Sequence, residues 1–287
     1  MSAQQKRIKL LEEYKQALIH RAVTGQIDVR TGQPYPAYKP SGVEWLREVP
    51  EHWEVSRNGR LFEQRNQTGF PDLPILEVSL KTGVRVRNFE SAGRKQVLSD
   101  RDKYKRAAKR DIAYNMMRMW QGAVGIAPCD GLVSPAYVVA SPRKGNDGRY
   151  FTNLFRTADY MREVDKYSRG IVKDRNRLYW EDFKRIPSPC PPPEEQRAIG
   201  DWIAEIEARV ACANQCVAEE ITLIRELRTG LISDVVTGKF DVREVAASLP
   251  DEPGTNEPEP LDEEAAVETT GSLEEEDLEA ASEEVEA

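Results

Sequence analysis

Cysteine and histidine are scarce. The 287 residues hold four cysteines, Cys129, Cys190, Cys212 and Cys216, none of them in a CxxC pair, and two histidines, His20 and His52. That argues against a disulfide framework and leaves too few ligands for a structural zinc site, so the cysteines read as free thiols. No stretch approaches the roughly 18 apolar residues of a membrane span. Met1-Ser2-Ala3-Gln4-Gln5-Lys6-Arg7 lacks the apolar run of a secretion signal, so a soluble, cytoplasmic chain is expected. Catalytic signatures are missing too: there is no G-x-x-x-x-G-K-[ST] phosphate loop, no G-x-S-x-G elbow, no H-E-x-x-H and no [DNS]-P-P-[YF]. Asp72, Glu77 and Lys81 come nearest to a metal-dependent nuclease. Glu77 and Lys81 stand four apart, however, and are not separated by the single residue that the acid-x-lysine motif requires, so they read as surface charge.

Basic residues are absent from one end. Leu249–Ala287 holds 16 Asp and Glu and no Lys or Arg, and it has almost no large apolar groups, so disorder is expected there. The formal net charge of -8 therefore hides a split. Residues 1–248 carry 41 basic against 33 acidic residues, and residues 51–190 carry 27 against 17, a net of +10. A basic body with an acidic tail points to a polyanionic partner. A merely solvated basic surface is the plainer alternative.

The strongest internal signal is a repeat. Ile8 to Arg30 aligns without gaps on Ile221 to Arg243, with 11 of 23 pairs identical. Each copy ends a helical pattern at Thr-Gly (Thr24-Gly25 and Thr237-Gly238), where glycine can take the left-handed conformation that closes a helix, and continues into apolar-Asp-Val-Arg. Two unrelated amphipathic helices would not share both the cap and the exit.

The second helix is far longer. It opens after Pro191-Pro192-Pro193, with Glu194 and Glu195 in its first turn, and is predicted to run to about Val236. Apolar residues recur at spacings of four and three through Ile199, Ile203, Ile206, Val210, Ala213 and Val217, then Ile224, Leu227 and Leu231, a coiled-coil seam broken at Glu220. Leu11, Tyr14 and Leu18 of the first copy stand where Ile224, Leu227 and Leu231 stand in the second. A helix with one apolar stripe needs a partner, and the first helix covers at most half of it.

The expected class is α+β, with a mixed α/β recognition domain (51–190) held between a short N-terminal helix (1–25, then a linker over 26–50) and a long spacer helix (191–238). An extension and tail follow over 239–287. Strands are predicted at 76–80, 83–87, 111–117, 122–127 and 136–140, and short helices at 159–167 and 180–184. Binding chemistry is well supplied here. Arg118 and Gln121 flank Trp120, and the loop from Ser168 to Arg177 carries Arg169, Lys173, Arg175, Asn176 and Arg177. Arg, Gln and Asn pair bidentately with guanine and adenine edges, while other cations suit phosphates. Lys81, Arg85 and Arg87, alternating along a predicted strand, suit phosphate or solvent. Each has a plain alternative: Arg118 as an internal ion-pair partner, Trp120 as core, His20 as helix surface, His52 as packing in the entry loop.

Four blocks in order, Val49-Pro50-Glu51-His52-Trp53-Glu54-Val55, Asn115 to Val139 with Gly131-Leu132-Val133-Ser134-Pro135-Ala136-Tyr137, Phe183 to Ile199 with Pro191-Pro192-Pro193-Glu194-Glu195-Gln196, and Leu231 to Arg243, resemble the specificity subunit of a type I DNA restriction-modification system. The resemblance covers the chain up to about Arg243 and omits the acidic tail. It implies a target recognition domain reading half of a bipartite DNA site, and helices that pair antiparallel as a spacer. It also implies docking to methyltransferase subunits that bind S-adenosylmethionine, and to ATP- and Mg-dependent restriction subunits, with no cofactor and no active site in this chain. Members usually hold two recognition domains, whereas this chain has one, a half-size form. The seam at Ile224, Leu227 and Leu231 is then expected to be buried by a homodimer or by a separate N-terminal half. The competing readings are a coiled-coil adapter that binds protein without DNA specificity, and a nonfunctional fragment of a split gene.

Overall fold

The computed structural model describes residues 3–87, 101–170, 176–239 and 241–243. Lys173, Arg175 and the acidic tail lie outside them. The chain divides into two compact units, one of Glu12–Ala208 and one that joins Met1–Leu11 to Arg209–Ala287.

Helix α1 (Ala3–Val23) leads through β1 (Tyr38–Pro40) and β2 (Glu48–Pro50) into β3 (Glu54–Arg57), α2 (Asn58–Leu61) and β4 (Phe62–Arg65). Then come the hairpin β5 (Leu76–Ser79) and β6 (Gly83–Val86), and the strands β7 (Lys105–Ala107), β8 (Ile112–Asn115), β9 (Val124–Ile126), β10 (Gly131–Val133) and β11 (Tyr137–Pro142). Helices α3 (Gly148–Phe155), α4 (Ala158–Tyr167) and α5 (Trp180–Phe183) precede β12 (Pro187–Cys190) and the long α6 (Pro193–Val236).

The organising element is a four-stranded antiparallel sheet in the order β4-β11-β8-β9. Successive side chains of a strand face opposite ways, and here both faces are covered. On β8, Ile112 and Tyr114 face one core and Ala113 the other; on β11, Val138 and Ala140 oppose Val139. The first core is aromatic. Phe62 meets Phe151 at 5.0 Å between ring centroids, and Phe155 meets Tyr160 at 4.8 Å. The second is lined by small groups, with Ala107, Ala113, Ala123 and Ala127 beside Leu76, Val78 and Val84.

The helices of this unit follow from local chemistry. Asp147 caps α3 by accepting from Arg149 N at 2.9 Å, and Tyr150, Phe151, Leu154 and Phe155 form its buried face. Thr157 caps α4, and Asp159 in its first turn complements the helix dipole. The predicted strands and both short helices are found within a few residues of their expected places. Helices α2 and α3 and strands β1, β2, β3, β4, β7, β10 and β12 were not predicted. Strand β12 contains two prolines, which cannot donate to a ladder; it forms a two-stranded pair with β3.

Helix α6 has 44 residues and spans about 66 Å at 1.5 Å per residue. Ile199 and Ile203 near its start belong to the aromatic core together with Ile19, Ala22 and Val23 at the end of α1. Val210 and Val217 are buried as well, whereas Leu223, Ile224, Leu227, Leu231 and Ile232 are between 47 and 65% exposed. Of the seam positions expected on α1, Leu11 and Leu18 are half-buried and Tyr14 is exposed. On α6, Ile206 is half-buried. Among the described residues no helix is long and apolar enough to cross a membrane.

Candidate nucleic-acid interface

Two of the motif blocks meet at Glu195. This carboxylate lies in the first turn of α6 and is 3% exposed. Trp53 Nε1 donates to its Oε1 at 3.0 Å, the Tyr35 hydroxyl donates to the same oxygen, and His52 Nε2 lies 2.8 Å from Oε2. Arg30 stands 3.9 Å away. A buried carboxylate needs such donors to offset its lost hydration. Burial first, then the bond to Glu195, pushes the Tyr35 phenol well above its ordinary range, so it stays a protonated donor. The next residue, Gln196, accepts from Asp147 N at 2.8 Å and donates to Pro191 O at 2.8 Å, tying α6 to the cap of α3. The Pro-Pro-Pro-Glu-Glu-Gln block is thus a joint. Tyr35 was not singled out from the sequence, where it stands in a short Pro-Tyr-Pro stretch with no periodicity.

The repeat is copied down to its hydrogen bonds. Gly25 and Gly238 have φ of 77° and 73°. Gln26 N reaches Arg21 O at 2.8 Å and Lys239 N reaches Asp234 O at 2.9 Å, the closing bond of the same helix cap. Arg30 Nε binds Asp28 at 2.8 Å, and Arg243 Nε binds Asp241 at 2.9 Å. In the first copy a Cβ on Gly25 would lie 2.4 Å from Pro50 and 3.1 Å from Trp53, so this cap is docked; around Gly238 nothing described lies within 4 Å.

The expected DNA-contacting residues fall into two groups. Arg118 opens a short 3-10 turn (Met119–Gln121) between β8 and β9, Gln121 is exposed, and Trp120 is half-buried against the aromatic core with Nε1 donating to Met117 O at 2.9 Å. The base of the 168–177 loop is closed by Arg169 N to Arg177 O at 3.0 Å and Arg177 N to Arg169 O at 2.8 Å, and Leu178 N to Met116 O at 2.8 Å brings it beside the Arg118 segment. Arg169 pairs with the buried Asp182 at 2.5 Å, and Asn176 donates to Asp165 at 3.3 Å.

The second group sits on the β5–β6 hairpin. Arg85 pairs with Glu77 across the strands, and Arg87 lies 4.0 Å from the same carboxylate. Lys81 corrects the expectation: it stands in the turn between the strands, where the carbonyls of Leu80 and Lys81 accept from Arg156, so it does not share a strand face with Arg85 and Arg87. His20 is half-buried on α1, 3.7 Å from Asp159, and His52 belongs to the Glu195 joint. Sequence reasoning also passed over Lys105, Arg106, Lys109 and Arg110, although they form the densest basic run of the domain. Lys105 is turned inward, donating to Pro135 O at 2.7 Å and Tyr137 O at 3.0 Å, and burial lowers its pKa. Arg106 pairs with Asp130 at 2.7 Å. Among the described residues no group of His, Cys, Asp and Glu is arranged to hold a metal ion.

Fold and site together define a basic α+β domain joined to helix ends through a buried glutamate. Several solved structures are similar to it. One is the HsdS subunit from Thermoanaerobacter tengcongensis, 17% identical, with 80% of this chain and 53% of that chain covered and a TM-score of 0.48. Another comes from a structure described as underlying complex assembly and conformational transition of the type I restriction-modification system, 15% identical, covering 80% and 55%, TM-score 0.48. A third is the type I restriction-modification system S subunit from M. genitalium, 11% identical, covering 78% and 55%, TM-score 0.45. The chain spans about half the length of each. No family model and no curated protein matches it.

Proposed function

We propose that this chain is the sequence-specific DNA recognition subunit of a type I restriction-modification complex, reading one half of a bipartite site and docking the methyltransferase and restriction subunits. The carrying observation is the Glu195 joint. Two motif blocks on which the resemblance rests, represented by Trp53 and Glu195 and 142 residues apart, share one buried hydrogen-bonded cluster. That these two blocks meet in one structural device supports the resemblance. The net charge of +10 over residues 51–190 supports a polyanionic ligand. Base contacts are assigned to Arg118, Gln121, Arg169, Arg175, Asn176 and Arg177, and phosphate contacts to Lys81, Arg85, Arg87 and Lys173. S-adenosylmethionine, ATP and Mg belong to the partner subunits.

The partner that completes the rod is either a second copy or a separate N-terminal half. The exposed Ile224, Leu227 and Leu231 and the open cap at Gly238 support such a partner, since the first copy of the same cap is docked on Pro50 and Trp53. Mapping adenine methylation with and without the gene tests both levels. A motif lost on deletion supports the proposal, with inverted repeats indicating a homodimer and an asymmetric motif a split partner; an unchanged methylome overturns it. The adapter reading draws on the ion pairs Arg85–Glu77 and Arg169–Asp182, which give those cations structural work. Its mark would be complex formation indifferent to DNA and to charge reversal at Arg118, Arg169 and Arg175.

A further inference from the structure

Arg110 has left-handed backbone, with φ at 76°; Arg47, at 53°, is the other non-glycine residue of this kind among those described. Side chains strain such backbone and glycine relieves it. Arg110 stands in the tight turn between β7 and β8, where its amide donates to Ala127 O at 2.9 Å and Asp111 N closes the turn on Ala108 O at 2.9 Å. The Arg110 guanidinium and the Lys109 ammonium are exposed, and among the described residues neither has an ion pair or side-chain hydrogen bond. The fold therefore retains a strained arginine whose side chain has no polar partner among the described residues, which directs attention to what lies outside it.

Both cations line a cleft of about 730 Å³, together with Arg65, Arg149 and Arg197. Arg65 is fixed by Asp111 at 2.5 Å and Ser141 at 3.2 Å, and Arg149 by Asp147 at 2.7 Å and Asp201 at 2.5 Å. Asp111 and Asp147, the acids of the lining, are thus occupied in holding two arginines. Lys109 and Arg110 remain uncompensated. Arg197 faces Glu194 at 3.8 Å, but both side chains are more than half exposed, so this pairing is weak.

We infer that this cleft is a phosphate-backbone site for duplex DNA, distinct from the base-reading residues around Arg118 and Arg169. The inference rests on the DNA-recognition reading and adds its sequence-independent part. Lys109 and Arg110, whose side chains have no polar partner among the described residues, can meet phosphate oxygens without reading sequence, whereas all three nitrogens of Arg65 and of Arg149 are engaged by Asp111, Ser141, Gln67, Asp147 and Asp201. Each phosphate neutralised releases condensed counterions, so binding through the cleft is steeply salt-dependent.

The test compares the full chain with its Lys109→Ala/Arg110→Gly double variant, binding a labelled mixed-sequence duplex over a salt series. Arg47→Gly serves as control, since it removes a cation and relieves left-handed backbone outside the cleft. The expected result is a plot of log K against log salt that is shallower by about two for the double variant, with the same fold-loss of affinity on every duplex sequence, and a wild-type slope for Arg47→Gly. The double variant's unfolding midpoint should be unchanged or raised, because glycine suits the turn at position 110, and so a binding loss cannot be assigned to misfolding. A wild-type slope in the double variant overturns the cleft while leaving DNA recognition standing. Absence of duplex binding by the unsubstituted chain overturns the recognition reading and the cleft with it. Displacement of the duplex by polyglutamate of equal charge overturns the nucleic-acid assignment alone.

Discussion

Trp53 Nε1 donates to Glu195 Oε1 at 3.0 Å, which fastens the entry of the globular domain to the first turn of the long helix. Because the same oxygen also accepts from Tyr35, removing the carboxylate strands two buried donors. Glu195→Ala is expected to lower stability by about 3 kcal/mol, and Glu195→Gln by less, since the amide oxygen still accepts. Urea unfolding followed by tryptophan fluorescence reads the difference directly; equal midpoints for wild type and Glu195→Ala would remove the joint from the account.

The two caps provide a matched pair. Gly238→Ala meets only backbone strain, about 1–2 kcal/mol. Gly25→Ala meets the same strain and also drives a methyl to within 2.4 Å of Pro50, adding about 1–3 kcal/mol of overpacking. Thermal unfolding of the two variants side by side should place Gly25→Ala clearly below Gly238→Ala. If a partner seats on the second cap, adding that partner should bring the two closer.

Much of this was legible in the sequence because it depended on local rules. The helix caps follow from Thr-Gly, the strands β5 and β6 from the strand-like stretches at 76–80 and 83–87, and the start of α6 from Pro193 followed by acids. Helix α3 was missed although Asp147 signals a cap, because Gly148 and Thr152 weaken its propensity and its face is defined only by burial of Phe151 and Phe155. The joint at Glu195 was invisible as geometry: its donors lie at positions 30, 35, 52 and 53, and no periodicity links them to α6. Lys109 and Arg110 were passed over for a related reason. Charge density alone does not separate inward Lys105 from outward Arg110, and the difference lies in the turn that follows β7.

Cys190 gives a pH-dependent signature. Burial, reinforced by Glu54, pushes its thiol up to about 11. The neutral thiol therefore supports the fold fully below its ordinary value of 9.0, and that support is lost as pH rises through about 11. Wild type should lose stability between pH 9 and 11 more steeply than Cys190→Ser, as measured by urea midpoints. Alkylation at pH 8 followed by mass spectrometry should modify the exposed Cys212 and Cys216 before Cys190.

Deleting Leu249–Ala287 removes 16 acidic residues and shifts the formal charge from -8 to +8. On the DNA-recognition reading, the shortened chain should bind non-specific duplex roughly 10-fold tighter at low salt, with the gain fading as ionic strength rises. A fluorescence-anisotropy salt series measures it. An unchanged affinity would mean that the tail exerts no electrostatic influence on the domain.

The division of the domain by the β4-β11-β8-β9 sheet has a consequence for substitutions. The helices and the Glu195 fastening belong to the aromatic side, while the hairpin with Arg85 and Arg87 is seated on the other side among alanines and valines. Substitutions on the outer face of the hairpin are therefore expected to leave the aromatic core in place, provided that the bonds from Arg156 to the Leu80 and Lys81 carbonyls are kept.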